Sequence, residues 1–251
     1  MEEKKSGTKI NSFYAKRYNK NIAGKSSTLG DGTLTEGLTA KHKMKLVLNA
    51  IKKNFVKKTK ISLVDFGGVY GSMRLFKENL GAKVYSVNVT AEQLVDCENK
   101  IICDITKQVP LPDDSFDVVV CLDTMEHLIE PDLVIQNAYR ILKNDGIFVI
   151  TVPNLASFVN RFSLLFGFMP TNYCPTEKRY GTLFGVKDSS WHKSVMTSGA
   201  LSSLLKEHNF ITKEITGFSY SYNKSIQLVN SIFPSSFREG LCITAQKEKK
   251  K

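Results

Sequence analysis

In this 251-residue chain, the stretch Val64-Asp65-Phe66-Gly67-Gly68-Val69-Tyr70-Gly71 follows an apolar run and opens a helix-like segment. Glycines at such a junction let the backbone pass close to a ligand, and the helix start offers unpaired N–H groups to negative charge. Asp65 narrows the choice of ligand, because a carboxylate at the end of the run repels a pyrophosphate and suits an ammonium group. A dinucleotide-binding loop needs glycines two and five positions after the first, where this chain has Val69 and Ser72. Gly24-Lys25-Ser26 has Asn19 in place of the glycine that a phosphate-binding loop requires, and no strand precedes it. An ordinary tight turn is the alternative reading of the Asp65 loop.

Two histidines have neighbours that suit proton transfer. His127 lies in Asp123-Thr124-Met125-Glu126-His127-Leu128 and His192 in Trp191-His192-Lys193-Ser194-Val195-Met196-Thr197. Either imidazole could take a proton from a reacting group, and either could instead cap or pack a segment. His42 and His208 sit among polar residues and read as solvated. No metal site is expected from spacing along the chain, and Asp123, Glu126 and His127 come nearest to one.

These residues need a scaffold, and the apolar pattern supplies one. The strands expected are Ile61–Phe66, Lys83–Val89, Lys100–Cys103, Phe116–Leu122 and Gly146–Val152, with helices near 71–80, 91–97 and 131–142 between them. Continuous runs such as Val118-Val119-Val120 indicate strands buried on both faces. Their alternation with helices predicts an α/β, doubly wound sheet, mostly parallel, with helices on both faces. A helix near 197–207 and strands near 210–220 and 240–246 follow. A leading helix over 36–56 carries Leu38, Val47, Leu48, Ile51 and Phe55 inward with its lysines outside. Phe158, Phe162, Leu165, Phe166 and Met169 recur at helical spacing. They are read as a core-packing helix, or else as a lid over an apolar substrate or a face touching membrane lipid.

The formal charge of +11 is confined to one end, since residues 1–60 hold 15 Lys/Arg against 4 Asp/Glu and residues 61–251 hold 20 of each. A basic nucleic-acid groove through the active site is therefore not expected, although the N-terminal arm could meet an acidic substrate, an anionic membrane or RNA. Five scattered cysteines without a Cys-x-x-Cys pair point to a reducing compartment. With no signal peptide or transmembrane run, the expected location is cytoplasmic.

The ordered motifs across residues 61–152 resemble those of class I S-adenosylmethionine-dependent methyltransferases. Asp65, Gly67 and Gly71 fall on that family's Asp/Glu-x-Gly-x-Gly-x-Gly loop, with Gly68 within it and Val69 at the middle glycine. Asn88 stands where an acidic residue binds both ribose hydroxyls. Asp104 stands where an acidic residue accepts from the adenine amino group, with the Ile105 N–H serving the ring. Leu111–Val119 resembles the lead into the fourth strand, which ends at Cys121, and Met125-Glu126-His127 resembles a Leu-Glu-His triplet. Arg140-Ile141-Leu142-Lys143-Asn144-Asp145-Gly146 and Val152-Pro153-Asn154 continue the series.

The resemblance implies a Rossmann-like seven-stranded sheet with an antiparallel C-terminal end. It also implies S-adenosyl-L-methionine as cofactor, held by Asp65, Gly67, Gly68, Gly71, Asn88, Asp104, Ile105 and Cys121, with His127 and His192 as candidate catalytic bases. Residues 1–60 form a basic arm and leading helix, and 61–251 a methyltransferase domain with a substrate-cap insertion at 155–190. The segment 154–165 with Arg179-Tyr180-Gly181 resembles a type 11/23-like branch acting on small-molecule, lipid or glycan-precursor acceptors, with peripheral membrane contact. Val69 and Asn88 keep a catalytically silent cofactor-binding relative as an alternative, and an NAD-dependent enzyme conflicts with Asp65 and the glycine spacing.

Overall fold

The computed structural model describes residues 38–55, 60–68, 72–94, 97–174, 180–183, 192–220 and 233–249. Gly71, Val69, Trp191, Arg179 and the arm before residue 38 lie outside them. The elements in chain order are α1 (Leu38–Asn54), β1 (Ser62–Phe66), α2 (Ser72–Leu80), β2 (Lys83–Asn88), β3 (Lys100–Ile102), β4 (Phe116–Leu122), α3 (Pro131–Ile141), β5 (Leu142–Pro153), α4 (Phe158–Leu165), α5 (Ser198–Glu207), β6 (Phe210–Phe218) and β7 (Gly240–Lys247).

Seven strands form one sheet in the order β3-β2-β1-β4-β5-β7-β6. The first five are parallel, and β7 runs antiparallel to both β5 and β6. The expected doubly wound sheet with its antiparallel end is the one found. Consecutive residues of the buried strands feed opposite faces. Val64, Phe66, Val119, Cys121, Phe148 and Ile150 pack on one side with α3 and α5. Leu63, Val118, Val120, Ile147 and Val149 pack on the other with Met44, Val47 and Ile51 of α1 and Met73 and Phe76 of α2. Period-2 alternation with both faces covered is what makes these runs continuously apolar.

Asp117 ties the lower sheet together, as its carboxylate accepts from the Ser62 N–H and hydroxyl (2.8 Å each) and pairs with Lys143 at 2.9 Å. Three expectations need correction. Among the described residues of 91–97 the regular structure is a 3₁₀ turn, Glu92–Leu94, where a helix is expected. Leu94 is its one fully buried anchor, and the N–H groups of Leu94 and Cys97 bond three residues back, to Ala91 and Leu94. β5 begins at Leu142, with Phe116 of β4 opposite it, four residues before the expected start. Finally, α1 does not keep all its lysines outside, since Lys43 is only 5% exposed.

The largest departure is α4. Phe158, Phe162, Leu165, Phe166 and Met169 are exposed, Leu165 at 76%, while Asn160 and Ser163 are fully buried. The core-packing reading is therefore wrong, because this helix turns its polar stripe inward. Ser157 caps it by accepting from the Asn160 N–H. The Asn160 amide donates to the Asn154 carbonyl at 3.1 Å and to the Asn172 side chain, and its carbonyl accepts from the Thr171 N–H and hydroxyl. Buried amides with this many partners hold a helix as firmly as an apolar stripe does, and leave the apolar side without a core to join.

Candidate active site

Strands β1 and β4 are sequence-distant neighbours whose flanking strands run outward in opposite directions, so their carboxyl ends flank the crevice at a topological switch point. Asp65 is paired across the sheet with Ser86 on one side and Val120 on the other. Its carboxylate is 2% exposed and accepts from the Ser72 hydroxyl at 2.5 Å. Burial raises its pKa from 3.8 to about 6, against the lowering effect of that hydrogen bond. Among the described residues no cation pairs with it.

The backbone turns at Gly67, whose φ of +77° suits glycine, and the Gly67 N–H donates to the Val87 carbonyl at 2.9 Å. A Cβ there would sit 2.4 Å from the Thr124 hydroxyl, and one at Gly68 would sit 3.0 Å from the Asp65 carboxylate. The glycines thus let the loop press against both β1 and the turn after β4.

At the end of β2, the Asn88 amide donates to the Gly68 carbonyl at 2.9 Å, and its oxygen lies 3.4 Å from the Thr90 N–H. It braces the glycine loop. Asp104 uses one carboxylate oxygen to accept from the Thr106 N–H and hydroxyl, which fixes the turn that follows β3. Ile105 is buried beside it, its carbonyl accepting from Asn137 at 3.0 Å. Cys121 is buried beside Phe66, where burial, with Glu126 and Asp65 nearby, holds its thiol well above the ordinary range.

The fold brings His127 and His192 together, with ring centroids 4.8 Å apart in an edge-to-face contact. Glu126 does much of the joining, because its carbonyl accepts from the N–H groups of Lys193 (2.6 Å) and Ser194 (3.0 Å). The His192 Nδ1–H donates to the Asn172 carbonyl at 2.7 Å. Glu126 itself is 1% exposed, and burial, followed by the charge of Asp123, pushes its carboxyl well above the usual range. Spacing along the chain gave no metal cluster. In space, Glu126, His127 and His192 present one ligand atom each, all within 4.8 Å of one another.

Lys43 is a site residue that sequence reasoning missed, and Asp123 entered it only beside Glu126 and His127 as the nearest approach to a metal site. Asp123 sits at φ +47° directly after β4 and forms an ion pair with buried Lys43. Its other oxygen accepts from Thr151 (2.8 Å) and from the Tyr220 hydroxyl (3.3 Å). Burial alone would raise the Asp123 pKa, but the Lys43 ammonium and these donors hold it below the ordinary value. No local signal marks Lys43, since its partner lies 80 residues away.

The residues fit an aminoacyl sulfonium cofactor at its amino-acid end, where a buried carboxylate with no cation among the described residues adjoins a loop that a Cβ would fill. At the ribose position the amide of Asn88 is already bound to Gly68.

Residues 64–150 match the family model described as "Methyltransferase domain". Over 51 residues the chain is 37% identical to a Mycolicibacterium smegmatis protein described as "Probable S-adenosylmethionine-dependent methyltransferase/", a stretch covering 20% of this chain and 20% of that protein. Two solved structures share the fold. A SAM-dependent methyltransferase from Archaeoglobus fulgidus aligns at TM-score 0.55 and 17% identity, over 81% of this chain and 94% of that one. A phosphoethanolamine N-methyltransferase 2 from Haemonchus contortus, in complex with phosphomonomethylethanolamine and S-adenosylhomocysteine, aligns at TM-score 0.55 and 16% identity, over 82% of this chain and 53% of that one. The Asp65 loop, the sheet order and the domain match thus agree: residues 64–150 match a methyltransferase domain, within a fold shared with S-adenosylmethionine-dependent methyltransferases of known structure.

Proposed function

We propose that the chain binds S-adenosyl-L-methionine at the Asp65 loop and methylates an amphiphilic small molecule or lipid whose polar end lies beside His127 and His192. The observation that carries the cofactor assignment is Asp65, a buried carboxylate without a described cation partner at the switch point of a methyltransferase domain. Asp65 would hold the cofactor's ammonium group, the Gly67–Gly68 backbone would lie along its amino-acid portion, and Asp104 with the Ile105 N–H would receive the adenine. When bound, the cofactor supplies a methyl group already activated on a sulfonium.

The chain's own part is then alignment and proton removal. Holding an acceptor in line is worth effective molarities on the order of 10⁵ M or more. The imidazole pair would take the acceptor's proton, and general-base help of this kind contributes roughly 10²–10⁴-fold. The amphiphilic acceptor is inferred from α4, whose exposed Phe158, Phe162 and Phe166 form a row of ring contacts that continues through Phe233 to Phe237. Arg161 lies over the Phe237 ring at 4.4 Å, so a cation borders the apolar row. That border suits an anionic or zwitterionic headgroup with an apolar tail.

A second reading, a cofactor-binding protein without turnover, is favoured by Asn88 alone, which is turned toward Gly68. Incubation of the chain with methyl-labelled cofactor and a total lipid extract of the native source separates the readings. Label in the organic phase supports the proposal. Label only in water-soluble products removes the amphiphilic acceptor, and cofactor binding without any labelled product supports the silent relative.

A further inference from the structure

We propose that Glu126, His127 and His192 form a binding site for one divalent first-row transition-metal ion. Their three ligand atoms lie within 4.8 Å of one another. Metal bonds to imidazole nitrogen and carboxylate oxygen are about 2.0–2.2 Å, which places any two donors of one ion within roughly 4.4 Å. Small rotations of the half-buried imidazoles close that difference.

Two further observations point to a ligand. The Glu126 Oε2 is buried and, among the described residues, accepts no hydrogen bond, although a buried carboxylate oxygen without a partner is costly. The His192 ring is fixed by donating its Nδ1–H to a main-chain carbonyl, an acceptor that cannot donate in return, so the lone pair of the neutral ring resides on Nε2. A ligating histidine is ordinarily held in this way, through its other ring nitrogen. The support extends outward, because Asn172, which supplies that carbonyl, is itself bound through its side chain by buried Asn160.

The donor set determines the class of ion. Two imidazoles and one carboxylate suit zinc, iron(II), cobalt or manganese better than the all-oxygen preference of calcium and magnesium. Asp123 is not counted as a ligand, since Lys43, Thr151 and Tyr220 already occupy its oxygens.

Three protein ligands leave coordination positions for an acceptor oxygen, and that role rests on the methyltransferase reading, whereas ion binding does not. With the ion present, the imidazole lone pairs are bound to metal, and the acceptor hydroxyl is acidified by coordination instead. Its O–H proton then leaves to solvent, the oxygen forms the new bond to the methyl carbon, and the electron pair of the broken C–S bond stays on sulfur.

The test uses the full, tag-free chain, stripped of metal and titrated with cobalt(II), whose visible absorption reports imidazole coordination. One equivalent should bind and be displaced by zinc(II). Glu126→Gln and His192→Asn should each weaken binding at least about ten-fold, while His208→Asn, a histidine paired with Asp132 elsewhere, should leave it unchanged. Absence of a cobalt band and of any zinc-induced rise in melting temperature in the unsubstituted chain overturns the proposal, as does equal affinity in both ligand variants. Calorimetry with S-adenosylmethionine on the same sample separates the two readings. Cofactor binding without cobalt binding removes only the metal, and cobalt binding without cofactor binding removes only the methyltransferase.

Discussion

His127 and His192 are 65 positions apart in the chain (127 to 192), yet their rings meet edge to face at 4.8 Å because the Glu126 carbonyl binds the backbone of the segment that carries His192. The two imidazoles are therefore one structural unit. Replacing either should damage the same step. His127→Ala and His192→Ala should each lower turnover by roughly 10²–10⁴-fold, with cofactor affinity changed less than about three-fold. The double variant should fall little further than the singles. Steady-state rates and calorimetry on the three variants check this, and additive losses would show that the residues act separately.

Asp65 makes a pH-dependent contribution whose sign follows from its burial. Its folded-state pKa of about 6 lies above the ordinary 3.8, so the cofactor-free fold favours the neutral acid. Stability attributable to this group is present at low pH and is lost as pH rises from about 4 through about 6. Asp65→Asn should thus raise the melting temperature of the cofactor-free protein at about pH 8 and leave it nearly unchanged at about pH 4, with a ceiling of about 3 kcal/mol. The same variant should bind the cofactor at least about ten-fold more weakly, the loss of an ammonium–carboxylate pair. Thermal melts at the two pH values measure the first effect.

Lys43 and Asp123 form a buried pair, and removing one member leaves an uncompensated charge. Lys43→Met should destabilise the fold by about 3–5 kcal/mol. Lys43→Met combined with Asp123→Asn should recover a large part of that loss, a coupling that denaturant melts of the single and double variants would reveal.

The inverted polarity of α4 gives opposite outcomes on its two faces. Leu165→Glu and Phe166→Glu should leave the melting temperature nearly unchanged, since both side chains are exposed. They should also reduce sedimentation with vesicles of phosphatidylglycerol. Asn160→Ala should lower stability by about 2–3 kcal/mol, because the Thr171 N–H and the Asn154 carbonyl lose a buried partner. A helix packed through its phenylalanines would show the reverse pattern.

These contrasts indicate what the chain discloses before folding. β1, β4 and most of β5 were legible because burial on both faces leaves continuous runs of Val, Ile and Phe, and Asp65 with Gly67 and Gly68 was legible because it interrupts such a run. Lys43 was not, since one lysine among several on a helix looks solvated until the partner from the end of β4 is placed beside it. The direction of α4 was hidden for a related reason. Periodicity reveals that one stripe is apolar, but which stripe faces inward depended on Asn154 and Asn172, which lie outside the helix. The Glu126–His127–His192 cluster likewise depends on main-chain hydrogen bonds between two segments that no local pattern connects.

The most direct test of the account is calorimetric titration of S-adenosylmethionine into the full chain and into Asp65→Asn under the same conditions. The account predicts one cofactor per chain, with affinity in the range of about 1 μM to 1 mM typical of enzyme substrates, and at least about ten-fold weaker binding to the variant. Absence of binding heat in the unsubstituted chain, or equal affinity for both proteins, would contradict it.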